Sequence, residues 1–257
     1  MFAKCVLSAL LLLIFANPMS TYTHFHTGSV SRRGAVKSVA PLLLPFLPPP
    51  AALADGVALT MTNYVDKEGK EFALRIPTSF YVLRRKDKGD LPDKNGNGRR
   101  GATIFTAGNM ASASVIAVER FPVKSLLDEA GIASGGDLTT FGGIGIGAEK
   151  LAELLNLRRE RERNNSKART LVVKGSPVLE ESEGTLKFQL RSDIDVQKPE
   201  LLLEQEGVSE LVRFTDAKAV LKRGEMYVIY AGALQQYQKS EGEALREAVS
   251  SFVVLGG

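Results

Sequence analysis

Three groups of polar residues in this chain have types and spacings that could do chemistry. The first is Asp93–Gly98, whose order, Asp-Lys-Asn-Gly-Asn-Gly, matches the opening of a calcium-binding EF-hand loop. Asp93, Asn95 and Asn97 would supply the oxygen ligands. The twelfth position of such a loop needs a bidentate Glu, and Ile104 stands there. The segment therefore predicts a polar turn, with weak calcium binding by these three residues as the alternative.

Two clusters of basic residues are candidates for docking on an acidic surface of a partner protein. They are Arg84, Arg85 and Lys86, and, in a second cluster, Arg158, Arg159, Arg161 and Arg163. In the second cluster Glu160 and Glu162 alternate with the arginines, which is typical of a solvated helix face with internal ion pairs. Partner docking is the alternative interpretation, since local charged patches steer association.

Acidic and tyrosine side chains are the remaining candidates. Glu180, Glu181 and Glu183 cluster in a predicted turn and could together hold a metal ion. The spacing of these three residues matches no metal-binding motif. Glu180 and Glu183, with Tyr227, define the site that an enzyme or a small-ligand binder would use. Gly142–Gly147 precedes a predicted helix, as phosphate-binding loops do, but it lacks the residue order of such loops. It therefore predicts a flexible start to the helix.

The placement of the reactive residue types excludes most familiar catalysis from most of the chain. Cys5, His24 and His26 are the only Cys and His, so residues 55–257 hold no thiol or imidazole for a catalytic triad or a metal site. The four basic residues of segment 1–54 also account for the whole net charge of +4. Residues 55–257 are therefore neutral overall, which gives no support to nucleic-acid binding.

Short alternating segments predict a fold made mainly of β-hairpins. Glu71–Ile76 alternates as a strand does. Gly108 and Asn109 predict a tight turn between two strands, and Lys222–Glu225 predicts another. The clearest helix is Ala148–Arg163, whose apolar residues recur every three or four positions. We therefore predict an α+β fold, with a mostly antiparallel sheet covered by this helix and by a second helix near the C-terminus.

The segment 1–54 has the pattern of a targeting presequence. Lys4 precedes the apolar run Val6–Ala16, which is the order found in a secretory signal peptide, expected over about residues 1–20. The run is shorter than the roughly 20 residues that a membrane-spanning helix needs, which disfavours the alternative of a membrane anchor.

A transit segment with a twin-arginine signal is predicted for about residues 21–54. Arg32 and Arg33 are followed by an apolar stretch and by a small-residue cleavage site, Ala52-Leu53-Ala54. The alternative is a disordered basic tail. Two signals in series fit a plastid that lies inside the endomembrane system. We therefore expect residues 55–257 to be a single domain in the thylakoid lumen of an alga with a complex plastid, peripheral to the membrane.

Six short segments between Tyr64 and Val254 follow an order that is typical of one protein family. They are Tyr64-Val65-Asp66, Phe72–Phe80, Ser114–Val118, Phe141–Leu155, Gly224–Val228 and Leu245–Val254. In these segments the chain resembles the PsbP family, extrinsic lumenal proteins of photosystem II and their relatives.

The resemblance implies an α-β-α sandwich and a non-enzymatic role without a cofactor. The protein would be a subunit of the oxygen-evolving complex, or an assembly or stability factor, that binds integral subunits of photosystem II or of another thylakoid complex. Plant members use a basic N-terminal segment and His residues that residues 55–257 lack, so a PsbP-like or PsbP-domain protein is expected rather than PsbP itself. The alternative is a lumenal enzyme or a protein that binds a small ligand or metal through Glu180, Glu183 and Tyr227.

The targeting interpretation predicts that the native protein begins at Asp55. Cleavage after Ala54 removes the twin-arginine signal once the chain has crossed the thylakoid membrane. N-terminal sequencing of the protein isolated from its own cells checks this, and an intact Arg32-Arg33 pair would contradict it.

Overall fold

Among the described residues, β-strands hold more of the chain than helices do. The computed structural model describes residues 59–66, 71–83, 92–133, 136–162 and 168–256. The targeting segment 1–54 lies outside these residues, as do Arg84, Arg85, Lys86 and Arg163 of the predicted basic clusters.

The described residues form strands and helices in an order dominated by hairpins. The strands are β1 (Met61–Val65), β2 (Phe72–Pro77), β3 (Tyr81–Val82), β4 (Arg99–Asn109), β5 (Ser114–Pro122), β6 (Ala168–Val172), β7 (Val178–Glu180), β8 (Thr185–Ile194), β9 (Leu211–Lys222), β10 (Glu225–Leu234) and β11 (Val253–Val254). The helices are α1 (Val123–Glu129), α2 (Phe141–Ile144), α3 (Ala148–Glu162), α4 (Pro199–Glu206) and α5 (Gln238–Ser251).

The strands pair into two antiparallel sheets. The larger sheet has eight strands in the order β3-β4-β5-β10-β9-β8-β6, with β7 also paired to β8. The smaller sheet has three strands in the order β1-β2-β11. Every described pairing is antiparallel, as expected for strands joined by short turns.

The two faces of the larger sheet are covered by different helices. On one face, Val228 and Tyr230 of β10 share a core with residues of α1, α2 and α3. On the other face, Ile229 of β10 shares a core with α5 and the smaller sheet. This split follows from the two-residue period of the strand, which sends successive side chains to opposite faces. The predicted α+β fold, an α-β-α sandwich with a central antiparallel sheet, is confirmed.

One of the two predicted hairpin turns is confirmed and the other is wrong. Arg223 and Gly224 join β9 to β10 with φ angles of 53° and 79°, the left-handed pair that a tight hairpin turn requires. Gly108 and Asn109, in contrast, remain within β4. Gly108 is needed there because an added Cβ would lie 2.8 Å from the carbonyl oxygen of Ser114 on the neighbouring strand.

Helix α3 confirms the predicted helix. The side chains on one side of it form a buried stripe that extends into the last turn of the helix. The stripe begins with Leu151 and Leu155, both almost fully buried against the sheet. Because a helix repeats its faces every three to four residues, the same stripe continues onto Arg158 and Arg159 one turn later. These arginines are therefore turned toward the sheet by the register of the helix.

No helix among the described residues is both long enough and apolar enough to cross a membrane.

Because α3 has one buried face and one exposed face, replacing two leucines that lie two positions apart should change the free energy of unfolding by very different amounts. Leu155 is 1% exposed and Leu157 is 47% exposed. Leu155→Ala should lower the free energy of unfolding by about 2–5 kcal/mol, because it leaves a cavity in the core. Leu157→Ala should change it by less than about 0.5 kcal/mol. Urea unfolding of both variants measures this, and equal losses would contradict the packing.

Candidate functional site

The structure separates the residues of the predicted basic cluster on α3. Arg158 and Arg159 are only 4% and 7% exposed, so they cannot face a partner protein. The expectation that these two arginines form a docking surface is wrong, because the buried stripe of the helix carries them under the sheet. Arg161 is exposed, as expected for a residue on the outer side of the same turn.

Arg158 is held by acidic side chains on two elements and by an aromatic ring. Its guanidinium pairs with Glu129 at the end of α1, and its Nε lies 3.4 Å from a carboxylate oxygen of Glu162. The Cζ atom also lies 4.3 Å from the ring centre of Phe121, a cation–π contact. The arginine therefore ties α1, α3 and β5 together.

Arg159 is the second buried cation and points to the middle of the sheet. Its Nε is 3.6 Å from a carboxylate oxygen of Glu119 on β5. The Cζ atom of its guanidinium lies 3.7 Å from the ring centre of Tyr230, a cation–π contact. The side chain of Arg159 therefore has contacts on two strands, with Glu119 on β5 and with Tyr230 on β10.

Glu162 is a partly buried carboxylate at the end of the same helix. Burial, followed by the nearby charge of Glu119, raises its pKa from 4.5 to about 7. One of its oxygens accepts a hydrogen bond of 3.1 Å from the backbone N–H of Ala102 on β4. Gly101, with φ of 62°, leaves room for it, since an added Cβ would lie 2.0 Å from that oxygen.

A small polar cavity lies where the last turn of α3 meets strands β5, β6, β8, β9 and β10. Its volume is about 10 Å³. Its polar lining residues are Arg159, Thr170, Ser192, Arg213, Thr215 and Tyr230. The lining supplies positive charge and hydroxyl groups rather than a nucleophile with an adjacent base.

Arg213 on β9 is the second cation of this cavity. A terminal nitrogen of its guanidinium donates a hydrogen bond of 2.9 Å to the carbonyl oxygen of Ala113. Burial, together with the charge of Arg159, lowers the pKa of Arg213 from 12.5 to about 10. The side chain therefore remains protonated at neutral pH although it is buried.

The predicted calcium-binding segment is a closed polar turn. One carboxylate oxygen of Asp93 accepts hydrogen bonds from the backbone N–H groups of Asn95 and Asn97, at 2.8 and 2.9 Å. The predicted turn is thus confirmed, and weak calcium binding stays a prediction. Within the described ranges, no group of three or more Asp, Glu, His or Cys side chains is placed to hold a metal ion.

The predicted carboxylate and tyrosine site is not formed. Glu180 pairs with Thr185, Thr185 with Val220, and Val220 with Tyr227 across successive strands. Glu180 and Tyr227 are therefore three strands apart, about 14 Å at roughly 4.8 Å per strand. The carboxylate of Glu180 instead accepts hydrogen bonds from Lys187, which lower its pKa.

The buried arginine pair was missed by sequence reasoning, although part of its signal was present. The seven-residue spacing from Leu151 to Arg158, and from Ala152 to Arg159, places both arginines on the apolar stripe of α3. Arg213 gave a weaker signal, as one basic residue among the alternating positions of a strand.

Comparisons with known proteins give likenesses of structure only. No protein-family model matches the chain, and no curated protein matches it. The solution structure of cyanobacterial PsbP (CyanoP) from Synechocystis sp. PCC 6803 is 13% identical, with a TM-score of 0.46, covering 80% of this chain and 99% of that chain.

Two other solved structures come from proteins with different descriptions. The Saccharomyces cerevisiae Ran-binding protein Mog1p is 11% identical, with a TM-score of 0.43, covering 77% of this chain and 97% of that chain. LpqN of Mycobacterium tuberculosis, described as involved in cell envelope biogenesis, is 11% identical, with a TM-score of 0.34, covering 77% and 91%. At these values the likenesses concern the arrangement of strands and helices and carry no argument about function.

The raised pKa of Glu162 predicts a pH dependence of stability. A carboxyl whose pKa is about 7 in the folded protein and 4.5 in the unfolded chain favours folding when protonated. Its contribution is present below about pH 4.5 and is lost as the pH rises through about 7. The free energy of unfolding should therefore fall by roughly 1–3 kcal/mol over this window.

The variant Glu162→Gln isolates this effect because it cannot ionise. Urea unfolding between about pH 5 and about pH 8 should show a smaller fall in stability for Glu162→Gln than for the unmodified protein. Glu153→Gln is the matched control, since Glu153 is an exposed residue of the same helix. The same fall in all three proteins would show that Glu162 is not the group that titrates.

Proposed function

We propose that this protein is a non-enzymatic extrinsic protein of the thylakoid lumen that docks on integral subunits of photosystem II. Its role would be that of an oxygen-evolving complex subunit or an assembly or stability factor. The observation that carries the proposal is the ordered set of PsbP-like segments behind a presequence with two targeting signals in series. The likenesses to solved structures carry no part of it.

The positions of the PsbP-like segments in the fold support the proposal. Phe72–Phe80, Ser114–Val118 and Leu245–Val254 all contribute side chains to the core between α5, the smaller sheet and the larger sheet. Tyr64 and Tyr227 pack against the same core. The sixth segment, Phe141–Leu155, contributes to the core on the other face of the larger sheet. The segments therefore fill the cores on both faces of this sheet, as expected if the resemblance reflects a shared fold, because residues that fill one core constrain one another.

Because Arg158 and Arg159 are buried, fewer basic residues remain as candidates for docking on a partner. Arg161 remains exposed on α3. Arg84, Arg85, Lys86 and Arg163 remain docking candidates from the sequence. Because residues 55–257 have no net charge, an acidic lumenal loop of a partner would have to be recognised by such local patches.

Affinity purification of the tagged protein from mildly solubilised thylakoids, followed by mass spectrometry, tests the proposal. Integral subunits of photosystem II should be enriched. Reversing the charge at Arg84, Arg85 and Lys86 together should lower their recovery by roughly tenfold, because docking would lose its electrostatic complementarity.

Arg246→Glu is the control for these charge reversals. Arg246 is an exposed residue of α5, on the face of the sheet opposite to α3, so this variant should recover the same subunits as the unmodified protein. Recovery of another thylakoid complex would replace photosystem II as the partner. A freely soluble protein that recovers no thylakoid complex would contradict docking altogether.

A further inference from the structure

The cavity at the end of α3 is lined by many of the buried polar side chains of the described residues, and all of these can donate hydrogen bonds. Twelve polar or charged side chains are buried among the described residues, and five of them line this one small space. The five are Arg159, Thr170, Ser192, Arg213 and Thr215. Two are cations and three are hydroxyls, so the cavity presents hydrogen-bond donors and no carboxylate of its own.

Two guanidinium groups facing one buried space repel each other. Burial is the larger cause of the lowered pKa of Arg213, and the nearby charge of Arg159 lowers this pKa further. Arg159 has Glu119 at 3.6 Å on the side of its Nε. A negative group in the cavity would relieve the repulsion between the two arginines, and in this water-poor setting the gain is larger than at the surface.

The neighbouring groups hold the donors in place before any ligand binds. The ring of Tyr230 packs against the guanidinium of Arg159, and the carbonyl oxygen of Ala113 accepts a hydrogen bond from Arg213. The hydroxyls of Thr170 and Ser192 lie 3.0 Å apart on paired strands. Only one proton is shared between these two hydroxyls, which leaves the other free to point at a ligand.

We propose that this cavity binds one small inorganic oxyanion, phosphate or sulfate, between Arg159 and Arg213. Guanidinium groups are the side chains best matched to oxyanions, because their planar N–H pairs fit two oxygens at once. The volume of about 10 Å³ has room for one water-sized group, so one oxygen of the anion would enter and the remainder would lie at the mouth of the cavity. The site is independent of the docking function proposed above.

Isothermal titration calorimetry of the purified protein with phosphate, sulfate and chloride, at constant ionic strength, tests the proposal. Phosphate or sulfate should bind with a dissociation constant below about 1 mM, and at least roughly tenfold more tightly than chloride. The stronger of the two oxyanions identifies the ligand. Tightest binding of chloride, or no preference among the three anions, would overturn the proposal.

Variants locate the binding in the cavity. Arg213→Met should weaken oxyanion binding by roughly tenfold or more, because it removes one of the two cations. Arg161→Met removes an exposed cation of the same helix and should leave the affinity within about twofold. Equal weakening by both variants would show surface binding only and would overturn the proposal.

A second variant guards against a folding defect in Arg213→Met. Thr170→Val keeps the shape of the side chain and removes one hydroxyl from the lining, so it should weaken binding by roughly threefold to tenfold. If Arg213→Met does not fold, the affinity of Thr170→Val shows whether the oxyanion binds in the cavity. An unchanged affinity in Thr170→Val would then contradict binding at this site.

Discussion

The burial of two consecutive arginines, Arg158 and Arg159, beneath the larger sheet is the constraint on which the rest of this region depends. A buried guanidinium without a partner costs about 3–5 kcal/mol, so each arginine needs acidic groups at fixed positions. Glu129 ends α1, Glu119 projects from β5, and Glu162 ends α3 itself. These pairs connect the last turn of α3 to α1 and β5, in addition to the apolar packing of the helix against the sheet.

The same constraint explains why neighbouring positions have little freedom. Glu162 reaches β4 through the backbone N–H of Ala102, and a side chain at position 101 would displace its carboxylate from this position. Tyr230 must present its ring to Arg159, which sets the side chain at the centre of β10. A surface of alternating charges, as the sequence suggests, would impose none of these requirements.

The sequence predicted local features well and the assembled site poorly. The α+β fold, the helix beginning at Ala148 and the turn at Arg223-Gly224 each depend on a pattern within about 15 residues, which periodicity and turn chemistry can detect. The turn placed at Gly108-Asn109 was wrong because close approach of a neighbouring strand, which is a property of the tertiary structure, also selects glycine. The cavity joins residues from α3 and five strands, from Val115 to Gly232, so no local pattern could predict it.

In this neutral domain, the proposed anion site is formed by buried arginines rather than by exposed ones. In the proposed site, an oxyanion binds between Arg159 and Arg213 and neutralises part of their positive charge. Crystals of the protein grown with selenate, a heavier analogue of sulfate, test this directly through the anomalous signal of selenium. The account predicts a selenium peak within hydrogen-bonding reach of both guanidinium groups. A well-ordered cavity without such a peak, with both guanidinium groups in place, would contradict it.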